Sequence, residues 1–259
     1  CVDGEDVSAS YLDIVYKRNG SVTTDFTNAG EITVTVTGKA PYTGTVTETY
    51  SITKATMTRD VQDYEGVYDG KEHTVTATPS VTDGTTVEYS TDCVHWYTSA
   101  PTWTDFTDGP RGVYVRATNP NYVDVEVTGT LEITKLAVTV TITGNSETYE
   151  YNGTEQSVTG YRFSASSDLY LQTNVVFSGD ATVKRTDVGY TLMGLDRSQF
   201  SNLNDDFDVT FDVADGVITI AELQVTVTII GNHGKFTYDG TEHTVSGYTF
   251  DADSPVYKE

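Results

Sequence analysis

Val138-Thr139-Val140-Thr141-Ile142-Thr143-Gly144-Asn145 returns 87 residues later as Val225-Thr226-Val227-Thr228-Ile229-Ile230-Gly231-Asn232. In the first copy Val138, Val140 and Ile142 alternate with threonines, so successive side chains point to opposite faces of a strand, one apolar and one polar. β-branched residues lose little rotamer freedom there. Phe207, Val209, Phe211 and Val213 against Asp206, Asp208, Thr210 and Asp212 give the same pattern. Helical periodicity is nearly absent, and Thr191–Phe200 is the one segment where a helical turn or short helix is expected. The recurrence matters as much as the alternation, because a fixed internal period decides the architecture.

Two further markers recur in constant order. Tyr68-Asp69-Gly70-Lys71-Glu72-His73-Thr74-Val75 is matched by Tyr151–Val158 and by Tyr238–Val245, at offsets of 83 and 87 residues. Asx-Gly between apolar segments is a strong hairpin signal, because both residues tolerate positive φ. Near the end of each copy, Thr24–Thr27 matches Thr104–Thr107 and Tyr42 matches Tyr122, both at an offset of 80. Ile52-Thr53-Lys54, Ile133-Thr134-Lys135 and Ile218-Thr219-Ile220 close the copies. The markers divide the chain into residues 1–54, the end of one repeat; 55–136 and 137–221, two whole repeats; and 222–259, the opening of another. The sequence thus reads as a piece of a longer array. The joint at Ile133–Val138 contains no Gly or Pro, which predicts a short, stiff connection. The expected fold is all-β, in tandem small β-grasp-like or immunoglobulin-like domains forming an elongated array, with at most a short helix per unit.

At these markers the sequence resembles the bacterial mostly-β-grasp (MBG) repeats, with their Tyr-Asx-Gly-Thr/Lys-Glu signature, and is similar to immunoglobulin-like repeats of large Gram-positive surface proteins. Thr186–Leu192, Phe207–Phe211 and Asp215–Ile220 are similar to strands of that family, and the resemblance covers nearly the whole chain. It implies a secreted or wall-attached protein in which such units act as spacers or adhesive regions. The implied partners are a protein or glycan of a host or neighbouring cell.

Composition narrows the chemistry. A formal net charge of -23 repels phosphates, so neither nucleic acid nor an anionic membrane is an expected partner. No apolar stretch is long enough for a membrane-spanning helix. The two cysteines, Cys1 and Cys93, make neither a disulfide framework nor a metal site; Cys1 also raises the question of a lipid-modified N-terminus. No signal peptide, wall-sorting motif or lipid anchor is recognisable.

No catalytic grouping is expected. His73 and His243 occupy equivalent repeat positions where the third copy has Gln156, so a polar residue suffices there. Cys93 and His95, two apart, read as a surface loop sooner than as a nucleophile and its base. Lys54 and Lys135 sit near strand ends, where an isopeptide bond is conceivable, but Ala221 holds the aligned position in the third copy. Asn204, Asp206 and Asp208, alternating along one side of a strand, suit either a calcium ion, which takes oxygen ligands, or plain solvation; no other cofactor is expected. The richest candidate binding surface is Trp96, Tyr97 and Trp103, between Tyr89 and Phe106, since aromatic side chains stack on sugars and anchor proteins. The competing reading places Trp103 in its core and Trp96 over an edge. The function expected is thus a non-catalytic stalk or adhesive region at a bacterial surface. The alternatives are a carbohydrate-binding accessory region of a secreted polysaccharide-degrading enzyme and a self-assembling surface layer or filament.

Overall fold

The computed structural model describes residues 7–259; Cys1, and with it any bond or lipid it carries, lies outside them. Among the described residues there is no α-helix, only strands and three short 3-10 turns. The protein is all-β. The chain packs into two compact units, one ending at Lys135 and the other beginning at Leu136.

The first unit opens with β1 (Leu12–Arg18), β2 (Ser21–Val22), β3 (Gly30–Gly38) and β4 (Thr45–Ile52), an antiparallel sheet in the order β2-β1-β3-β4. Asn19 and Gly20, at φ 48° and 84°, join β1 to β2 as a two-residue hairpin loop with both residues at positive φ. Then come β5 (Arg59–Gln62), β6 (Tyr64–Val67), β7 (Thr76–Pro79), β8 (Thr86–Ser90), β9 (Arg111–Asn119) and β10 (Tyr122–Thr134). β5 pairs with β7, while β6-β10-β9-β8 form a mixed sheet in which β6 runs parallel to β10. The core beneath it is Val75, Val113, Val115, Leu131 and Ile133, all fully buried.

The second unit contains β11 (Leu136–Gly144), β12 (Ser146–Glu150), β13 (Gln156–Thr159), β14 (Tyr161–Ala165), β15 (Val175–Phe177), β16 (Thr182–Arg185), β17 (Gly189–Leu192), β18 (Phe200–Asn202), β19 (Phe207–Ala214) and β20 (Val217–Ala221). β21 (Val227–Gly231) and β22 (Tyr248–Ala252) follow as a separate antiparallel pair. β11 lies between β14 and β19, antiparallel to the first and parallel to the second, and β20 lies between β12 and β17. Alternation sorts the faces: Val138, Val140, Ile142, Phe207 and Phe211 are buried, while Thr139, Thr143, Asp208, Thr210 and Asp212 are exposed. An aromatic cluster fills the space between layers, with Tyr170 edge-on to Phe207 at 5.0 Å and Phe177 stacked on Phe200 at 4.8 Å.

One register rule runs through both whole repeats. Entry strands pair in parallel with closing strands, 67 residues apart in the first repeat (Ala55 with Tyr122, Tyr64 with Leu131). The separation is 71 in the second (Val138 with Val209, Ser146 with Val217).

One expectation needs correction. The Tyr-Asx-Gly signature makes a turn and not a hairpin between paired strands: β6 pairs with β10 and β7 with β5, and β12 pairs with β20 and β13 with β16. Only its glycine takes positive φ (73°, 77° and 81° at Gly70, Gly153 and Gly240), whereas the tight hairpin turn needs two such residues. The Asx side chain instead accepts the amide two residues on, at 2.9 Å for Asp69 to Lys71 and for Asn152 to Thr154. The helical turn or short helix expected within Thr191–Phe200 is present as a single 3-10 turn, Arg197–Gln199, closed by a capping box between Asp196 and Gln199.

Candidate functional site

The loop between β8 and β9 holds both tryptophans and is built by side chain to backbone bonds. At the end of β8, Ser90 is buried, and its hydroxyl accepts the amides of Asp92 and Cys93 at 3.2 and 2.9 Å. Asp92 then accepts the amides of Val94 and His95, both at 2.8 Å, and contacts the His95 ring at 2.7 Å. Those bonds, the His95 side chain first, hold the Asp92 carboxyl well below the usual carboxylate range. Cys93 takes a left-handed φ of 61° within this knot and is an exposed free thiol. His95 thus faces Asp92, and Cys93 serves as the turning residue.

Beyond the knot the loop returns along β8. Tyr97 and Tyr89 exchange both backbone bonds, at 2.7 and 2.9 Å. The Tyr97 ring stays 62% exposed beside a hollow of about 180 Å³ lined by Tyr89, Ser90, Thr91, Ser99 and Pro101. Trp96 lies half-buried under the Arg116 guanidinium, 4.2 Å from its ring centroid, and Arg116 is in turn held by Glu88 at 2.8 Å. Trp103 is elsewhere. Its backbone bridges His73 at 2.9 and 3.0 Å, and its ring packs against the core cluster. The three aromatics singled out from sequence therefore occupy three environments, and Tyr97 is the one presented to solvent beside a concavity. Arg116 and Glu88 are the partners that sequence reading missed. They become visible only once β8 and β9 are paired, with Glu88 opposite Arg116.

The acidic segment is shaped by a turn. Asn204 Oδ1 accepts the Asp206 amide at 2.8 Å, and Asp206 O accepts the Leu136 amide at 2.9 Å. Strand alternation begins only at Phe207, so Asn204 and Asp206 do not continue the face of Asp208. Among the described residues no three His, Cys, Asp or Glu side chains gather as a metal site.

The remaining polar candidates have local partners. His73 stacks on Tyr64 at 4.0 Å and contacts Asp69 at 2.8 Å; His243 stacks on Phe236 at 4.7 Å and contacts Asp239 at 2.9 Å. Gln156, at the equivalent position, donates to Glu150 O at 3.0 Å. Lys54 Nζ lies 3.3 Å from Asn119 O, and Lys135 Nζ lies 4.6 Å from the Phe106 ring centroid. Among the described residues no helix is long and apolar enough to cross a membrane.

No protein-family model matches the chain, and no curated protein matches it. Among solved structures it is similar to the Bacteroides ovatus mixed-linkage glucan utilization locus SGBP-B in complex with a mixed-linkage heptasaccharide (9% identity, 90% of this chain and 66% of that one, TM-score 0.17). It is also similar to protocadherin gamma B2 extracellular cadherin domains 3–6 (12% identity, 84% of this chain and 68% of that one, TM-score 0.22). Scores this low decide nothing about the site.

Proposed function

We propose that the chain is a non-catalytic, load-bearing spacer and adhesive region of a bacterial cell-surface protein. One observation carries this reading: in each whole repeat the strands by which the chain enters run parallel to those by which it leaves. Tension on the two ends of such a repeat draws the paired strands past one another, so their ladder hydrogen bonds are loaded together in shear. An antiparallel entry and exit would open one bond at a time. Only one residue, Lys135, separates β10 from β11, so tension passes directly between successive ladders.

The test is single-molecule pulling on the 259-residue chain held at its ends. The expected record shows separate unfolding events for the two whole repeats, the stronger belonging to 137–221. There, Leu136–Thr143 and Ser146–Glu150 are both in parallel register with the closing strands, against Tyr64–Val67 and one bridge at Ala55 in 55–136. Unfolding of both repeats at negligible force would sink the load-bearing reading.

Tyr97, exposed beside its hollow, supports a second reading, a glycan contact. Glycan-array binding that disappears in Tyr97→Ala with the fold intact would support it, and an array without signal would remove it.

A further inference from the structure

In 137–221 the strands on either side of the Tyr-Asn-Gly turn part company. β12 pairs with β20 and β13 with β16, and the two do not pair with each other. Between them lies a groove of about 480 Å³, and every residue that lines it belongs to this whole repeat. Its walls are tied at one end, where the Asn145 amide donates to Gly160 O at 3.1 Å and the Asn145 side chain to Thr159 O at 2.8 Å. Tyr161, in the lining, is braced edge-on by Phe177 at 5.3 Å and by Phe200 at 5.4 Å, which fixes its ring.

The first whole repeat fills the same place with its own ring. With Tyr68 aligned on Tyr151, Tyr64 stands where the second repeat has Glu147, Gly66 where it has Tyr149, and His73 where it has Gln156. Tyr64 stacks on His73 at 4.0 Å, and a Cβ on Gly66 would lie 2.8 Å from a carbon of the Tyr64 ring, so the phenol lies close over bare backbone. In 137–221 that packing is gone. Gln156 donates instead to Glu150 O at 3.0 Å, and Tyr149 Oη lies 3.5 Å from Ser157 O. The side chains of Glu147 and Arg162, both exposed and both in the lining, have no hydrogen-bond or ion-pair partner among the described residues.

We propose that this groove is a binding site for a short neutral saccharide. The lining selects that class by its chemistry. Glu147 and the net charge of -23 repel phosphates and acidic sugars. A hard metal ion, which takes about six to eight oxygen ligands, finds a single carboxylate there. The apolar side chains of a peptide find Val158 as the one aliphatic residue. Vicinal hydroxyls fit: they donate to the Glu147 carboxylate and accept from the Arg162 guanidinium, both as charge-assisted bonds. The hydroxyls of Ser157 and Thr159 add further partners, and the rings of Tyr149 and Tyr161 offer apolar surface to a sugar ring. A concavity with a few placed polar groups is how small-ligand sites are built. The site lies in a different repeat from Tyr97 and depends neither on that contact nor on the load-bearing reading.

The test titrates the 259-residue chain with neutral oligosaccharides of glucose, galactose, mannose and N-acetylglucosamine, followed by amide chemical shifts. Saturable binding of at least one is expected, with shifts along Ser146–Glu150 and 156–162. Arg162→Ala and Glu147→Gln, both at exposed positions, each weaken it at least about tenfold, as loss of a hydrogen bond to a charged group does, and leave the unfolding transition in place. Glu147→Tyr combined with Tyr149→Gly, which copies the arrangement of 55–136, abolishes binding, while Tyr97→Ala leaves it unchanged. Absence of saturable binding, or binding that survives Arg162→Ala and Glu147→Gln, would overturn the proposal. So would tighter binding of an acidic sugar or of inorganic phosphate, or a loss of binding in Tyr97→Ala, which would move the site to the β8–β9 loop.

Discussion

In repeat 55–136 the closing strand, β10, runs unbroken from Tyr122 to Thr134; in repeat 137–221 the same stretch is two strands, with Asp215-Gly216 between them. The continuous strand keeps a glycine in mid-course: a Cβ on Gly129 would lie 2.6 and 2.7 Å from methyl carbons of Val75 and Val61, so the core closes against bare backbone. The broken strand uses its glycine at the bend, where Gly216 and Gly144 lie main chain to main chain. Asp215 secures that bend by accepting the amides of Gly194 and Leu195 at 3.0 and 2.9 Å. Both solutions preserve the parallel register of entry and exit strands. Register is thus the fixed feature of the repeat, and the path of the closing strand is the variable one.

Changes confined to one repeat sharpen this comparison, and the largest effects are expected in the two cores. Ile133→Ala in the first and Ile142→Ala in the second each cost about 2–5 kcal/mol, the range for truncating a buried aliphatic residue; chemical denaturation should shift only the transition of the altered repeat. Ile229→Ala, the same residue in the same motif, changes stability by less than about 0.5 kcal/mol because it is already in water.

Next comes the bend. Gly144→Ala drives a methyl into the Gly216 backbone and costs at least about 1–3 kcal/mol, while Gly231→Ala, at the matching position of the recurring Val225–Asn232 segment, is near neutral because a Cβ there meets nothing within 4 Å. Asp215→Ala leaves the Gly194 and Leu195 amides without their acceptor, a loss of about 1–3 kcal/mol seen only in the second repeat's transition.

Acid gives the smallest effect, and in the β8–β9 loop it acts through Asp92. The Asp92 carboxyl is held below its unfolded value of about 3.9, so its contribution is complete above that pH. It is lost as pH falls through the lowered folded value. Protection of the Val94 and His95 amides, taken relative to their intrinsic exchange rates at each pH, should fall only as the pH drops well below about 4.

The faces of β11 and β19 were legible in the sequence because alternation is a local property, and the repeats were legible because three markers kept their spacing. Strand partnership was not, since pairings 67 and 71 residues apart leave no trace in either strand alone. The same dipeptide class shows the limit: Asn19-Gly20 makes a hairpin, whereas Asp69-Gly70 only reverses the chain, its carboxylate bonding forward while its φ stays negative. Of the candidate site, Trp96, Tyr97 and Trp103 share one loop in the sequence. The isolated backbone bridge from Trp103 to His73, which separates them, reaches 30 residues back along the chain. Asn204 broke the expected alternation by bonding its own turn.

The unequal parallel ladders have a further consequence under tension. On the load-bearing reading, the repeat with the shorter ladder would act as a fuse, giving way while its neighbour stays shut. Residues 55–136 would then release roughly 270–295 Å of chain at 3.3–3.6 Å per residue, slack that lets the load fall before the longer ladder is tried. A tether made of such units would absorb a sudden pull by lengthening in steps, and refolding of the short-laddered repeat would reset it.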